Sequence, residues 1–187
     1  MKSKQKNYSS LLLTQEYLIN DQFVDNNLVK NYQQEFDLIF NVVFGEFPDL
    51  SFKYYSRYRC GMIVYHSVIY NRRKNSDSYS VCIEDRLNSK TRISFGQTLF
   101  FFYVNQKPYA FLKRYSSTKK LFSSLINPFE HVKNWTQYID RFYPIVRYST
   151  SEYVIIPCDC IVCKCICIPL DNDFQVCAPV ELELEHD

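Results

Sequence analysis

The sequence predicts a mostly β protein: a small barrel or partly open sandwich with one N-terminal amphipathic helix and a short helical insertion. Three observations point there. After Pro48, short runs rich in β-branched and aromatic residues recur every ~8–12 residues, separated by turn-forming segments. Before Pro48, apolar residues fall three and four apart, the period of a helix with one buried face. The chain of 187 residues is 47% hydrophobic and 17% aromatic, ample material for one packed core.

The elements follow in order. Val24, Leu28, Val29, Tyr32, Phe36, Ile39, Phe40 and Val43 trace one helix over 22–44. Asp21 suits its N-cap, and Gly45 and Pro48 are its stop signals. Strand-like runs follow from SFKYYSRYR through FQVCAPV, with NRRKNSDS, DRLNSK, NQK and PLDND between them. Asn105-Gln106-Lys107 reads as a hairpin loop. Gly96 reads as a bulge or sharp bend that lets one long strand serve two sheets. The stretch 116–142 interrupts the strands. Asn134 and Gln137 there resemble a capping box for a short helix through Trp135, Tyr138, Ile139 and Phe142. Residues 1–50 are therefore an N-terminal helical appendage and 51–187 a β-rich domain. No apolar run reaches the ~18 residues of a membrane span. The opening MKSKQKNYSSLLL is too briefly apolar for a secretory leader. The expected place is intracellular, nucleus or cytoplasm.

The cysteines test the reading. Cys158, Cys160, Cys163, Cys165 and Cys167 crowd together, and Cys160–Cys163 has C-x-x-C spacing. A zinc knuckle needs a second pair, and Cys60, Cys82 and Cys177 stand alone. In IVCKCICI, strand alternation puts Cys163, Cys165 and Cys167 on one face and Val162, Lys164, Ile166 and Ile168 on the other. The expectation is a core strand of free thiols, with no metal site and no disulfide framework.

Several chemistries lack their parts. No G-x-S-x-G, H-E-x-x-H or Cys-His signature is present. Gly45, Gly61 and Gly96 stand singly, which leaves no phosphate-cradling loop. His66 reads as a strand histidine, and His131 has no nucleophile near it in sequence. No catalytic residue, cofactor or small-molecule substrate is assigned, and the chain is read as not an enzyme.

Charge is the functional lead. Residues 51–150 hold 17 Lys and Arg against 5 Asp and Glu, a surplus of +12. Residues 1–50 carry −3 and residues 151–187 carry −7, so the formal net charge of +2 hides a basic centre. Basic residues interleave with aromatic ones: Arg57 and Arg59 among Tyr54, Tyr55 and Tyr58; Arg72, Arg73 and Lys74 in a turn; Lys113 and Arg114 beside Tyr115; then Lys119 and Lys120. Cations that hold phosphates beside rings that stack bases are the recipe for single-strand binding on small barrels. These nine residues are the candidate nucleic-acid-binding set. The acidic ELELEHD end either competes for that surface or forms a short edge strand.

Over 54–180 the chain also resembles the β-rich C-terminal module of transposon-derived open reading frames of invertebrate genomes. The residues carrying the resemblance are Tyr55, Arg57, Tyr65, His66, Ser67, Tyr70, Arg72 and Arg73. Phe95, Gly96, Leu99, Tyr109, Ala110, Leu112 and Tyr115 follow, then Pro157 and Ile161. The pattern is similar to the bromo-adjacent homology (BAH) barrel of chromatin proteins. The resemblance implies nuclear or chromatin association and transfers no catalytic residue. Two functional classes stay open: a non-catalytic module for nucleic acid or chromatin, and a protein-interaction or structural domain that recruits a partner at a sheet edge.

Overall fold

The computed structural model describes residues 16–19, 24–49, 51–70, 79–85, 92–124, 140 and 143–180. Among them are nine strands and two α-helices. Strands β1 (Glu16–Ile19), β2 (Arg57–Cys60) and β3 (Ile63–His66) form a three-stranded antiparallel sheet in that order. Strands β4 (Ser80–Asp85), β5 (Arg92–Val104), β6 (Lys107–Ser117), β7 (Ile145–Pro157), β8 (Ile161–Pro169) and β9 (Phe174–Pro179) close a barrel in the order β4-β5-β6-β7-β9-β8. The barrel alternative is thus the correct one, and a second small sheet packs on it.

The N-terminal helix is two helices, a correction to the single span over 22–44. Helix α1 covers Asn26–Asn31 and helix α2 covers Gln33–Phe44. Tyr32 leaves helical geometry at φ −110° and ψ 4°, and its N–H donates to the carbonyl of Val29 rather than one residue further back. Asn26, Asn27 and Asn31 are weak helix formers, so little holds the first turn and a half in line with the rest. The cap also moves. The Asp25 carboxylate accepts from the N–H groups of Asn27 and Leu28; Asp21 lies outside the described residues. Gly45 ends α2 at φ 78°, the left-handed conformation that glycine adopts without strain.

The long hairpin β5–β6 is the spine. Its turn is Asn105-Gln106, at φ 50° and 64°, with Val104 and Lys107 paired across it. Lys107 therefore belongs to the strand, and the loop is two residues rather than three. Along the hairpin, alternate side chains go to opposite layers. Phe100, Phe102 and Phe111 meet the helices, with Phe36 at the centre. Phe101, Ala110 and Leu112 meet Leu18, Tyr58 and Tyr65 of the three-stranded sheet. Phe36 has no exposed surface and lies 5.0–5.8 Å, ring centre to ring centre, from Phe52, Tyr54, Phe100, Phe102 and Phe111.

Gly96 sits within the ladder, paired with Val81 and Arg114. The irregularity of β5 falls later, between Thr98 and Phe100. What glycine provides is close approach: a Cβ there would come within 2.9 Å of the Lys113 carbonyl oxygen. The bulge that follows does let β5 serve two neighbours. Its first half pairs with β4, and Phe101 bridges to Tyr55, beside the small sheet.

At the other end of the barrel, Cys82, Phe95, Tyr115, Val146, Cys165, Cys167 and Cys177 form a separate buried cluster. The cysteine strand β8 thus faces its thiols inward. Val162, Ile166 and Ile168 face out, and Lys164 is buried rather than exposed with them. All eight cysteines are free thiols. The expected helix through Trp135 falls outside the described residues. What is described of that stretch is the end of β6, a 3-10 turn at Phe122–Ser124, and Asp140, which accepts from the Ser123 amide and hydroxyl.

Candidate polyanion-binding cleft

The nine basic residues do not form one surface. Arg57 and Arg59 lie on β2, two apart and so on one face, with Tyr58 buried on the other. The Arg57 guanidinium sits over the Tyr70 ring at 5.2 Å, and Tyr70 stacks on His66 at 4.8 Å. Arg59 turns back and donates to the Gly61 carbonyl at 2.9 Å. Both cations thus serve the small sheet. Arg72, Arg73 and Lys74 lie outside the described residues. Lys113 and Arg114 are neighbours on β6 and point to opposite faces. Arg114 pairs with Glu152 directly across on β7, its Nε 2.7 Å from the carboxylate.

The remaining two, Lys119 and Lys120, are where the structure gathers charge. They follow the end of β6, where three hydroxyl residues, Ser116, Ser117 and Thr118, come in succession. Thr118 fixes the turn: its hydroxyl donates to the Ile145 carbonyl at 2.9 Å and accepts from the Lys120 amide at 3.2 Å. The Lys120 ammonium is thereby held 3.4 Å from the centre of the Phe174 ring. Arg147, from β7, sits 4.9 Å from the same ring. The ring is held in turn. Phe174 pairs with Arg147 in the β7–β9 ladder, and its N–H donates to the Asp171 carboxylate at 2.8 Å.

These residues line a cleft of about 400 Å3 whose wall is the three hydroxyls, Lys119, Lys120, Arg147 and Phe174. A second cleft of about 370 Å3 shares Ser116, Ser117 and Thr118 and adds Arg92 and Arg114. Arg92 Nη2 donates to the Ser117 hydroxyl at 3.0 Å, which ties the two clefts together. Two carboxylates temper the charge. Glu152 lines the second cleft against Arg114. Asp171 is held below the usual carboxylate range by the amides of Asp173 and Phe174, and also by Lys120.

Sequence reasoning found Arg114, Lys119 and Lys120. It missed Arg92, Arg147 and Phe174, because strand register rather than sequence proximity brings these to the cleft. The Asp171-Asn172-Asp173 turn before Phe174 was the available signal, since it ends in a ring placed by its own cap.

Among the described residues no group of three or more His, Cys, Asp and Glu is arranged to hold a metal ion. Nor is any helix among them long and apolar enough to cross a membrane. Compared with protein families, characterised proteins and solved structures, the chain finds no match.

Proposed function

We propose that this chain is a non-catalytic module that binds nucleic acid, alone or in chromatin, through the cleft at the end of β6. One observation carries the reading: Lys120 and Arg147 are fixed on one ring, Phe174, at the mouth of a cleft walled by three consecutive hydroxyls. Positioned cations and hydroxyls are what phosphate oxygens take as partners. Arg92 and Arg114 extend the same surface. The resemblance to the transposon-derived module and to the BAH barrel belongs to this proposal, and a closed barrel is compatible with it. The surface reads phosphate spacing; no side-chain set for reading base identity is assigned.

The test is fluorescence anisotropy with labelled single-stranded DNA and RNA at several salt concentrations. Five phosphate contacts on a single strand give a log–log slope of about −3.5, so affinity falls about 100-fold between 50 and 200 mM salt. The double variant Lys120→Glu, Arg147→Glu should bind about tenfold more weakly or worse, with a slope shallower by about 1.4. Equal affinity in the double variant removes the cleft from the reading.

A second reading, a protein-interaction domain, is favoured by one different observation. The outer face of β8 exposes Val162, Ile166 and Ile168, each about half accessible. Absence of nucleic-acid affinity at low salt, together with self-association lost on Ile166→Asp, would favour it.

A further inference from the structure

Five cysteines meet at one end of the barrel, and strand register puts them in pairs. Cys82 of β4 lies directly across from Cys163 of β8, and Cys167 of β8 directly across from Cys177 of β9. The Cys82, Cys163 and Cys165 thiols hydrogen-bond to one another. The Cys167 and Cys177 sulfurs stand 3.4 Å apart. Accessibility separates the members: Cys82, Cys165, Cys167 and Cys177 are buried, and Cys163 is half-buried. One thiol that solvent reaches, backed by a thiol across the ladder, is the arrangement of a redox-sensing cysteine and its resolving partner.

We propose that Cys163 is a modification site for peroxide, and that Cys82 resolves it into a disulfide joining β4 to β8. The steps balance. The Cys163 thiolate attacks a peroxide oxygen and the O–O bond breaks. With hydrogen peroxide this yields Cys163 sulfenic acid and water. The Cys82 thiol then attacks that sulfur, releases a second water, and the disulfide forms. In sum, two thiols and one hydrogen peroxide give one disulfide and two waters. Two thiol donors, Cys165 first and Cys82 second, hydrogen-bond the Cys163 sulfur and favour its thiolate. Cys60 is the internal contrast. It too is half-buried, but burial and the Glu16 carboxylate beside it push its thiol up. Cys165 is not the resolving group: it lies two residues along the same strand, where a disulfide is poorly accommodated. The bond would strap a short seam, since β4 and β8 share three register pairs with an irregularity between Cys82 and Ile83. This inference does not depend on the polyanion reading.

The purified chain would be treated with one equivalent of hydrogen peroxide, its remaining thiols alkylated in acid denaturant, and a tryptic map taken without reduction. Trypsin cuts after Lys164, so Cys165 falls in peptide 165–187 and Cys82 in 75–86, while Cys163 shares peptide 148–164 with Cys158 and Cys160. Fragmentation of the linked pair, with Cys158 and Cys160 carrying the alkyl group, places the bond. The expected product links 75–86 to 148–164 through Cys163, with Cys60 still alkylated and Cys167 and Cys177 still reduced. The Cys82→Ser variant should leave Cys163 as a dimedone-reactive sulfenic acid. Linkage of 75–86 to 165–187, a Cys167–Cys177 bond formed first, or oxidation of Cys60 as fast as Cys163 would each overturn the proposal. The wild-type map decides the matter even where a variant fails to fold.

Discussion

Tyr115 shows what a single side chain does in this core. It stands among the buried thiols, with the side chains of Gln175 and Ser80 beside its hydroxyl. Burial, its largest influence, pushes its phenol up to about 12, against the lowering influence of Gln175 and Ser80. The sign follows from which state keeps the proton. Between pH 10 and 12 the folded chain holds a proton that the unfolded chain has released. The contribution is therefore whole below pH 10 and is lost as pH rises toward 12, a loss of about 2–3 kcal/mol. Urea midpoints at pH 9, 10, 11 and 12 should fall over the upper part of that range, and Tyr115→Phe should flatten the fall. Part of the slope should survive in the variant, because burial also raises Tyr58. A variant with the full wild-type slope would show that Tyr115 titrates normally.

Among the elements, the β5–β6 hairpin was the most legible in the sequence, and its limits are instructive. Asn-Gln-Lys announced a turn, and the runs rich in aromatic and β-branched residues on either side announced strands. That Phe100 and Phe102 face one layer and Phe101 the other emerged only with the fold. The two-residue form was not legible, because it needs positive φ at both turn residues and Gln106 is an unusual occupant of φ 64°. That strain predicts an improvement. Gln106→Gly creates Asn-Gly, the preferred pair for this turn, and should stabilise the chain by about 1 kcal/mol. Thermal unfolding would register it as a higher midpoint, and a lower midpoint would mean that the Gln106 side chain makes contacts outweighing the strain. The helix was legible as a period but not as two pieces. Val29, Phe36 and Phe40 keep the apolar stripe through the break at Tyr32, so periodicity alone cannot see it. The two faces of the cysteine strand were readable from alternation, but not their burial at two positions. Lys164, opposite the thiols with Val162, Ile166 and Ile168, is buried where they are exposed, and Cys163 is only half-buried.

For the whole molecule, charge segregation is legible in the sequence while the cleft is not. The surplus of +12 over 51–150 says that a basic region exists. It does not say that Arg92 and Arg147, 55 residues apart in the numbering, share a surface with Lys120. The barrel's closure does that, by laying the start of β7 beside the end of β6 and Phe174 beside Arg147. The acidic block that follows is the counterpart. Residues 151–187 carry −7, and four of those carboxylates lie in 181–187. Charges of one chain act on one another across about 10 Å at 0.1 M salt and further at lower salt. If the polyanion reading holds, removing residues 181–187 raises affinity for single-stranded DNA at 50 mM salt. The gain shrinks toward nothing at 200 mM, because screening removes long-range repulsion before it removes direct phosphate contacts. Anisotropy titrations of the full and shortened chains at both salts measure the ratio directly. A ratio that stays constant with salt would mean that the segment acts by contact rather than by charge. A ratio of one at both salts would mean that the acidic end and the cleft do not sense each other.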